Sequence, residues 1–286
     1  KATLNKNNNN NSILAFCDNS SAIRGYNVKN LIVNSGKYEV VNSLLHPVLT
    51  AETHNFPTGM VPFPGAATGI GGRIRDNMAV GRGGLLIAGT AGYSVGNLFI
   101  SPTEWETKIK NFETAFKTPL DILIEASNGA SDYGNKFGEP IILGFTRSFG
   151  LSLSRNNIVE RLEYIKPIMF TGGIGQMRDE HKYKCTLDRG YLIVRVGGPV
   201  YRIGMGGGTA SSRNQEDKNK KIDLDAVQRG DPEMENRVYK FIRSCIEMGV
   251  DNPILSIHDQ GAGGMANVTK EIVEPNGGIV FLDNVI

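Results

Sequence analysis

Three short stretches concentrate side chains that can move protons, hold hard cations or meet phosphate oxygens. Residues 52–57 read ETHNFP, which puts a carboxylate, a hydroxyl, an imidazole and an amide in four successive positions shortly ahead of a proline. Glu52 could hold a divalent cation through its oxygens, and His54, with an ordinary pKa near neutrality, could exchange a proton. The alternative is a capped turn with a satisfied histidine. Residues 65–76 read GAATGIGGRIRD: many backbone N–H groups without bulky side chains, closing on Arg73, Arg75 and Asp76. Such a loop can cradle phosphate oxygens. It lacks the GK[ST] ending of the Walker loop and does not match GxGxxG in a βαβ setting, and glycine-rich segments also serve simply as turns. In IHDQGAGG, residues 257–264, an apolar run ends in His258 and Asp259 before glycine, so Asp259 could present a carboxylate to a metal or cap a following helix. Gln228 and Arg229 precede a helix and could face a ligand or solvent.

The elements that must position these groups read as a mixture of helices and strands. Eleven of the 35 glycines lie between Gly59 and Gly96, which predicts loop and tight turn there. None occurs over 97–128, and Thr118 followed by Pro119 marks a helix start, with the helix expected to end at a shaped loop beginning at Asn128. Asp231 and Pro232 start a stronger helix to about Met248, with Met234, Val238, Phe241 and Cys245 as its apolar stripe. Strand-length apolar runs occupy 85–88, 141–145, 167–170, 191–196, 254–257 and 279–282. Polar clusters at 152–163 and 213–221 read as exposed connections. The five asparagines at 7–11 cannot bury apolar surface, so order is expected from about Ser12. The expected division is a low-complexity start over 1–15, one subdomain over 16–183 and a second over 184–286.

Charge narrows the function classes. With 31 basic and 29 acidic side chains the chain has no single-signed field to hold nucleic acid or an anionic membrane surface. No apolar run approaches the length of a membrane span and the start has no signal-peptide core, which predicts an intracellular, cytoplasmic protein. Cys17, Cys185 and Cys245 form no C-x-x-C pair and are expected to be small buried residues in a reducing compartment.

Taken together, ETHNFP, PFPGAATGIGGRIRD, AGTAGYSVGNL, ASNGASDYGNKFGEP, KPIMFTGGIG, VGGPVYRIGMGGGTASS, VQRGDPEME and HDQGAGG resemble the phosphoribosylformylglycinamidine synthase family of the large single-chain type, from about Phe16 to near the end. The resemblance implies an α+β fold like aminoimidazole ribonucleotide synthetase, with an N-terminal subdomain followed by a C-terminal one, and corresponds to the first of two pseudo-symmetric halves. It implies an ATP- and glutamine-dependent conversion of formylglycinamide ribonucleotide to formylglycinamidine ribonucleotide. ATP and Mg²⁺ would be the cofactors, and ammonia would come from a glutaminase domain.

By the same resemblance His54 is the proton acceptor, Thr53, Asn55, Arg75 and Gln228 touch substrate, Glu52 is a magnesium ligand, and Asp76 and Asp259 are ligands of another magnesium. The segment Gly65, Ala66, Ala67, Thr68, Gly69, Ile70, Gly71, Gly72, Arg73, Ile74, Arg75 and Asp76 corresponds to the family's ATP segment. The implied chemistry is attack of the substrate amide oxygen on the γ-phosphoryl, followed by displacement by ammonia. Phe56 stands where small family members have a second histidine, so that position transfers no proton. A second synthetase half, an upstream S-E-H-C segment and the glutaminase lie outside this sequence. Little turnover is therefore expected from the chain alone, and an exposed pairing surface is expected to drive self-association. A non-catalytic structural half of the same assembly is the alternative, and other synthetases of the superfamily are a third reading.

Overall fold

The computed structural model describes residues 11–34, 36–101, 106, 115–156, 158–199, 223–224, 227–261 and 263–281. The expected connection over 213–221 lies outside these residues, as does most of the motif VGGPVYRIGMGGGTASS. Nine strands are described: β1 (Ser12–Leu14), β2 (Ser21–Ile23), β3 (Tyr26–Asn34), β4 (Lys37–Thr53), β5 (Leu85–Val95), β6 (Ile141–Ser148), β7 (Gly150–Arg155), β8 (Ile158–Glu163) and β9 (Ile168–Arg178). The helices are α1 (Asn55–Met60), α2 (Pro62–Met78), α3 (Pro119–Phe137), α4 (Pro232–Glu247) and α5 (Gly264–Ile272). The main sheet runs β1-β2-β4-β9-β5-β6, with β3 also paired to β4, and β7 and β8 form a separate hairpin.

Among the described residues all strand pairings are antiparallel except β5 with β6. A parallel pair needs a crossover, and α3 supplies it. α2 and α3 pack on one face of the sheet, where Ile70, Ile74, Met78, Ala126, Ala130, Tyr133, Phe137 and Met169 form the main core with Ile242 and Ile246 of α4. This is the α+β arrangement expected. No described helix is long and apolar enough to cross a membrane.

Several local expectations are corrected. The segment 65–76 is no loop: it lies inside α2, with Gly65 to Gly71 buried. Glycine in a helix interior costs roughly 0.5–1 kcal/mol against alanine, and packing explains why it is present. A Cβ on Gly65 would lie 2.5 Å from the backbone of Pro57, and one on Gly69 3.0 Å from both His54 Cβ and Met169 Sδ. The expected loop at Asn128 is likewise helix, since α3 continues to Phe137 and stops at Gly138 in the left-handed conformation, φ 95°. Here too a close approach selects glycine, because a Cβ on Gly129 would meet the Phe63 carbonyl oxygen at 2.1 Å. Gly129→Ala is therefore expected to force α3 off α2 and to destabilise the fold by about 1–3 kcal/mol, read by urea denaturation; a change below about 0.5 kcal/mol would show that the helices separate freely.

The run 152–163 is the β7–β8 hairpin rather than an irregular connection, and 191–196, 254–257 and the described part of 279–282 form no strand. Cys17 and Cys185 are exposed; only Cys245 is buried. In α4 the start is as predicted, with Asp231 accepting from the N–H groups of Glu233 and Met234 at 3.1 and 3.0 Å. The buried face agrees in part: Cys245 is buried and Val238 packs against the core as expected, but Glu235, Ile242 and Ile246 also turn inward and Phe241 is about half exposed.

Candidate active site

The long strand β4 ends at Glu52 and Thr53, held against β9 by the pairing of Glu52 with Thr171 and Thr53 with Phe170. The chain then turns at His54, whose N–H donates to the Met169 carbonyl at 2.9 Å, and enters α1. Asn55 Oδ1 accepts from the Met169 N–H at 2.9 Å, which fixes the start of α1 to β9. His54 Nδ1 lies 2.5 Å from the Gly65 carbonyl oxygen. A carbonyl can only accept, so Nδ1 carries the hydrogen and Nε2 keeps its lone pair. Burial lowers the His54 pKa below its ordinary value, opposed by the Gly65 hydrogen bond and reinforced by the charge of Arg75, so the ring is neutral at pH 7.

The C-terminal end of α2 presents Arg75 and Asp76, both half-buried. Asp76 and Asp259 are bridged by one amide: Asn19 Nδ2 donates to Asp76 Oδ1 at 3.2 Å and to Asp259 Oδ1 at 2.7 Å. Burial and then the charge of Asp259, with a further contribution from Glu52, push the Asp76 carboxyl up to about 7. Glu52 is raised in the same direction by burial and by Asp259. Burial alone would raise Asp259 as well, but the hydrogen bond with His258 and the charge of Arg75 outweigh it and hold that carboxyl low. Thus the three predicted metal-binding carboxylates share one electrostatic neighbourhood although they come from β4, α2 and the segment before α5.

Their donor chemistry, oxygen only and mutually repelling, suits a hard divalent cation, which would offset the repulsion that holds protons on Asp76. Among the described residues, however, no group of three or more His, Cys, Asp and Glu side chains stands close enough to hold a metal ion as placed.

The remaining predicted residues divide. Thr68 Oγ1 donates to the Gln228 carbonyl at 2.9 Å and accepts from the Gly230 N–H at 3.0 Å, so α2 fixes the segment that carries Gln228. Thr53 is exposed at the strand end. Arg73 does not face this site. It is wholly buried and pairs through both terminal nitrogens with Glu139, with Nε 3.3 Å from Thr171 Oγ1. Positions two apart on a helix point about 200° apart, so Arg73 enters the core and Arg75 the site.

The phosphate cradle expected from 65–76 is corrected as well. In a helix interior the N–H groups bond to carbonyls four residues back, and Gly65, Ala66, Ala67, Thr68, Gly69, Ile70, Gly71 and Ile74 are buried. Only Gly72, Arg75 and Asp76 of that segment are partly exposed. Two groups escaped the sequence reading: Asn19, the amide between the carboxylates, and Glu235, which lies 3.4 Å from Arg75.

Comparison with known proteins bears on the same span. Residues 188–285 match the family model described as AIR synthase related protein, C-terminal domain. The chain is 53% identical over 285 residues to a phosphoribosylformylglycinamidine synthase of Dictyostelium discoideum, covering 96% of this chain and 21% of that protein. It is 53% identical over 278 residues to the Homo sapiens protein of that name, covering 95% of this chain and 21% of that one. The chain therefore spans about a fifth of the length of these relatives. Among solved structures, Thermotoga maritima PurL complexed with FGAR has a TM-score of 0.54 at 24% identity, covering 80% of this chain and 31% of that one. The same protein complexed with ADP gives 0.52 at 20%, covering 91% and 31%. At these identities the likeness is one of fold.

Proposed function

Because this chain is homologous to the phosphoribosylformylglycinamidine synthases across 96% of its length, we propose that it forms the substrate- and nucleotide-facing first half of a synthetase region. The whole enzyme would convert formylglycinamide ribonucleotide, ATP, glutamine and water to formylglycinamidine ribonucleotide, ADP, phosphate and glutamate. The observation that carries this reading is the gathering of Glu52, Arg75, Asp76 and Asp259 from three distant parts of the chain, two of the acids sharing the amide of Asn19. The T. maritima structures, one with FGAR and one with ADP, support the ligand classes.

In this reading Arg75 offers a planar fork to a phosphate group of the substrate, and Thr53, Asn55 and Gln228 fix the rest of it. Glu52 would hold one Mg²⁺ and Asp76 with Asp259 another, which when bound would supply counter-charge to phosphoryl oxygens. The segment 65–76 contributes to nucleotide binding through Arg75 and Asp76 at its exposed end rather than through its backbone. His54, neutral and with Nδ1 tied to the Gly65 carbonyl, accepts the amide N–H proton at Nε2 as the amide oxygen bonds to the γ-phosphorus and ADP leaves. Ammonia then adds at the activated carbon, and its C–O bond breaks to release phosphate.

The second synthetase half and the upstream segment would pack against strand surface that this chain leaves open. Apolar side chains of β3, β4 and β6, including Leu31, Val40 and Leu143, are exposed there, and the same surface would drive self-association of the isolated chain.

Calorimetric titration of the 286-residue chain with formylglycinamide ribonucleotide, with and without MgATP, tests the assignment. Saturable heat that disappears in Arg75→Ala is the expected result. A folded chain that gives no heat under either condition would make this half a scaffold and place the binding groups elsewhere in the enzyme.

A further inference from the structure

The two arginines of α2 are used in opposite ways. Arg73 is saturated, with both terminal nitrogens on Glu139 and Nε near Thr171. Arg75 is not. Its hydrogen bond to Glu235 Oε1 is long at 3.4 Å, its Nε stands 3.9 Å from Asp259 Oδ2, and that buried Nε has no hydrogen-bond partner. A guanidinium has five N–H donors in a fixed fork; Nη1 is anchored on Glu235 and Nε is enclosed beside Asp259, so the end left to receive an anion is Nη2 of the partly exposed side chain.

The anchor is itself built. Glu235 is buried, and its second oxygen accepts the hydroxyl hydrogen of Tyr133, a side chain only 1% exposed. Both groups sit over α2 at a position where a side chain is missing: a Cβ on Gly71 would lie 2.6 Å from Tyr133 Oη and 2.9 Å from Glu235 Oε2. A Cβ on Gly230 would approach the Tyr133 ring at 2.9 Å. A buried carboxylate is costly unless paired and hydrogen-bonded, and placing Glu235 on the inward face of α4 displaces an apolar side chain from the core. The arrangement makes sense if its product is the orientation of Arg75.

We propose that Glu235, seated by Tyr133, is a positioning residue that holds the Arg75 guanidinium at Nη1 and leaves the Nη2 end of its partly exposed fork for an anionic group of the substrate. This rests on the reading of Arg75 as a substrate contact. Holding a long, flexible side chain in its binding geometry removes an entropic cost that the ligand would otherwise meet.

The test uses the full-length synthase containing this chain, with KM and kcat for formylglycinamide ribonucleotide and a melting curve for each variant. Tyr133→Phe, which deletes only the hydroxyl, should raise KM about fivefold and Glu235→Ala about tenfold or more, with the loss falling on KM rather than kcat. Glu235→Gln keeps an oxygen toward Arg75 and a polar partner for Tyr133, and should recover most of what alanine loses. Gly71→Ala leaves every polar group intact but pushes on both oxygens, and should raise KM in the same way. In an Arg75→Ala background Tyr133→Phe should add nothing.

Three results overturn the proposal. These are an equal KM effect of Tyr133→Phe with and without Arg75, a Glu235→Gln protein no better than Glu235→Ala, or unchanged KM in both Tyr133→Phe and Glu235→Ala. An Arg75→Ala protein with unchanged KM would instead overturn the substrate-contact reading itself, and the two failures are thereby separated.

Discussion

Glu139→Ala is expected to remove about 3–5 kcal/mol of folding stability, the usual result of leaving one member of a buried ion pair alone. Arg73 is wholly buried and Glu139 only 4% exposed, so water cannot replace the lost carboxylate without opening the core. The packing around the pair leaves no second position for the guanidinium. A Cβ on Gly89 would lie 2.0 Å from an Arg73 terminal nitrogen, and one on Gly173 2.4 Å from its Cδ. Native domains are held by only about 5–15 kcal/mol, so this one change should lower the urea midpoint steeply. Replacing both members with apolar residues of similar volume, Arg73→Met with Glu139→Leu, should recover much of the loss. If Glu139→Ala unfolds at the wild-type midpoint, the two charges are not obligate partners.

His54→Asn should lower turnover of the full-length enzyme about 10²–10⁴-fold, the range usual for removing a general base, with little change in melting temperature. Asparagine can still donate to the Gly65 carbonyl through its amide, but it has no group that accepts a proton near neutrality. The contrast with Glu139 is the informative part: one substitution acts on stability and the other on rate, although Arg73 and Gly65 lie in the same helix. A His54→Asn protein with wild-type kcat would place the proton acceptor elsewhere, and one that lost activity only by unfolding would make the histidine a structural cap.

The sequence spoke clearly where a few neighbouring residues decide the outcome. The Asp231-Pro232 and Thr118-Pro119 starts depend on local hydrogen bonds and a fixed φ, and both helices begin where those residues predicted. The acids Glu52, Asp76 and Asp259 could be picked out because carboxylates beside turns and strand ends carry their chemistry in their type. Glycine was the main source of error. In 65–76 and 128–134 it reads as turn, yet it marks the places where one backbone touches another, as at Gly65 against Pro57 and Gly129 against Phe63. That contact is tertiary, and no local window contains it.

The same limit hid the division of labour between Arg73 and Arg75, because Glu139 and Glu235 lie 66 and 160 residues away. Short apolar runs failed in the other direction. Tyr191–Val196 and Ile254–Ile257 have strand composition, but among the described residues they have no neighbouring strand with which to exchange backbone hydrogen bonds. The strands β3 and β4 went unrecognised because polar residues and Pro47 interrupt their alternation.

The amide of Asn19 has a kinetic consequence. It joins Asp76, 57 residues away, to Asp259, 240 residues away. Closing so long a span costs chain entropy that no local interaction repays, so contacts of this kind form after the nearer ones have shortened the path. The carboxylate cluster should therefore be among the last parts of the chain to assemble during refolding. Recovery of ligand binding would lag behind recovery of helix and sheet, and a protein with native secondary structure could still lack a working site.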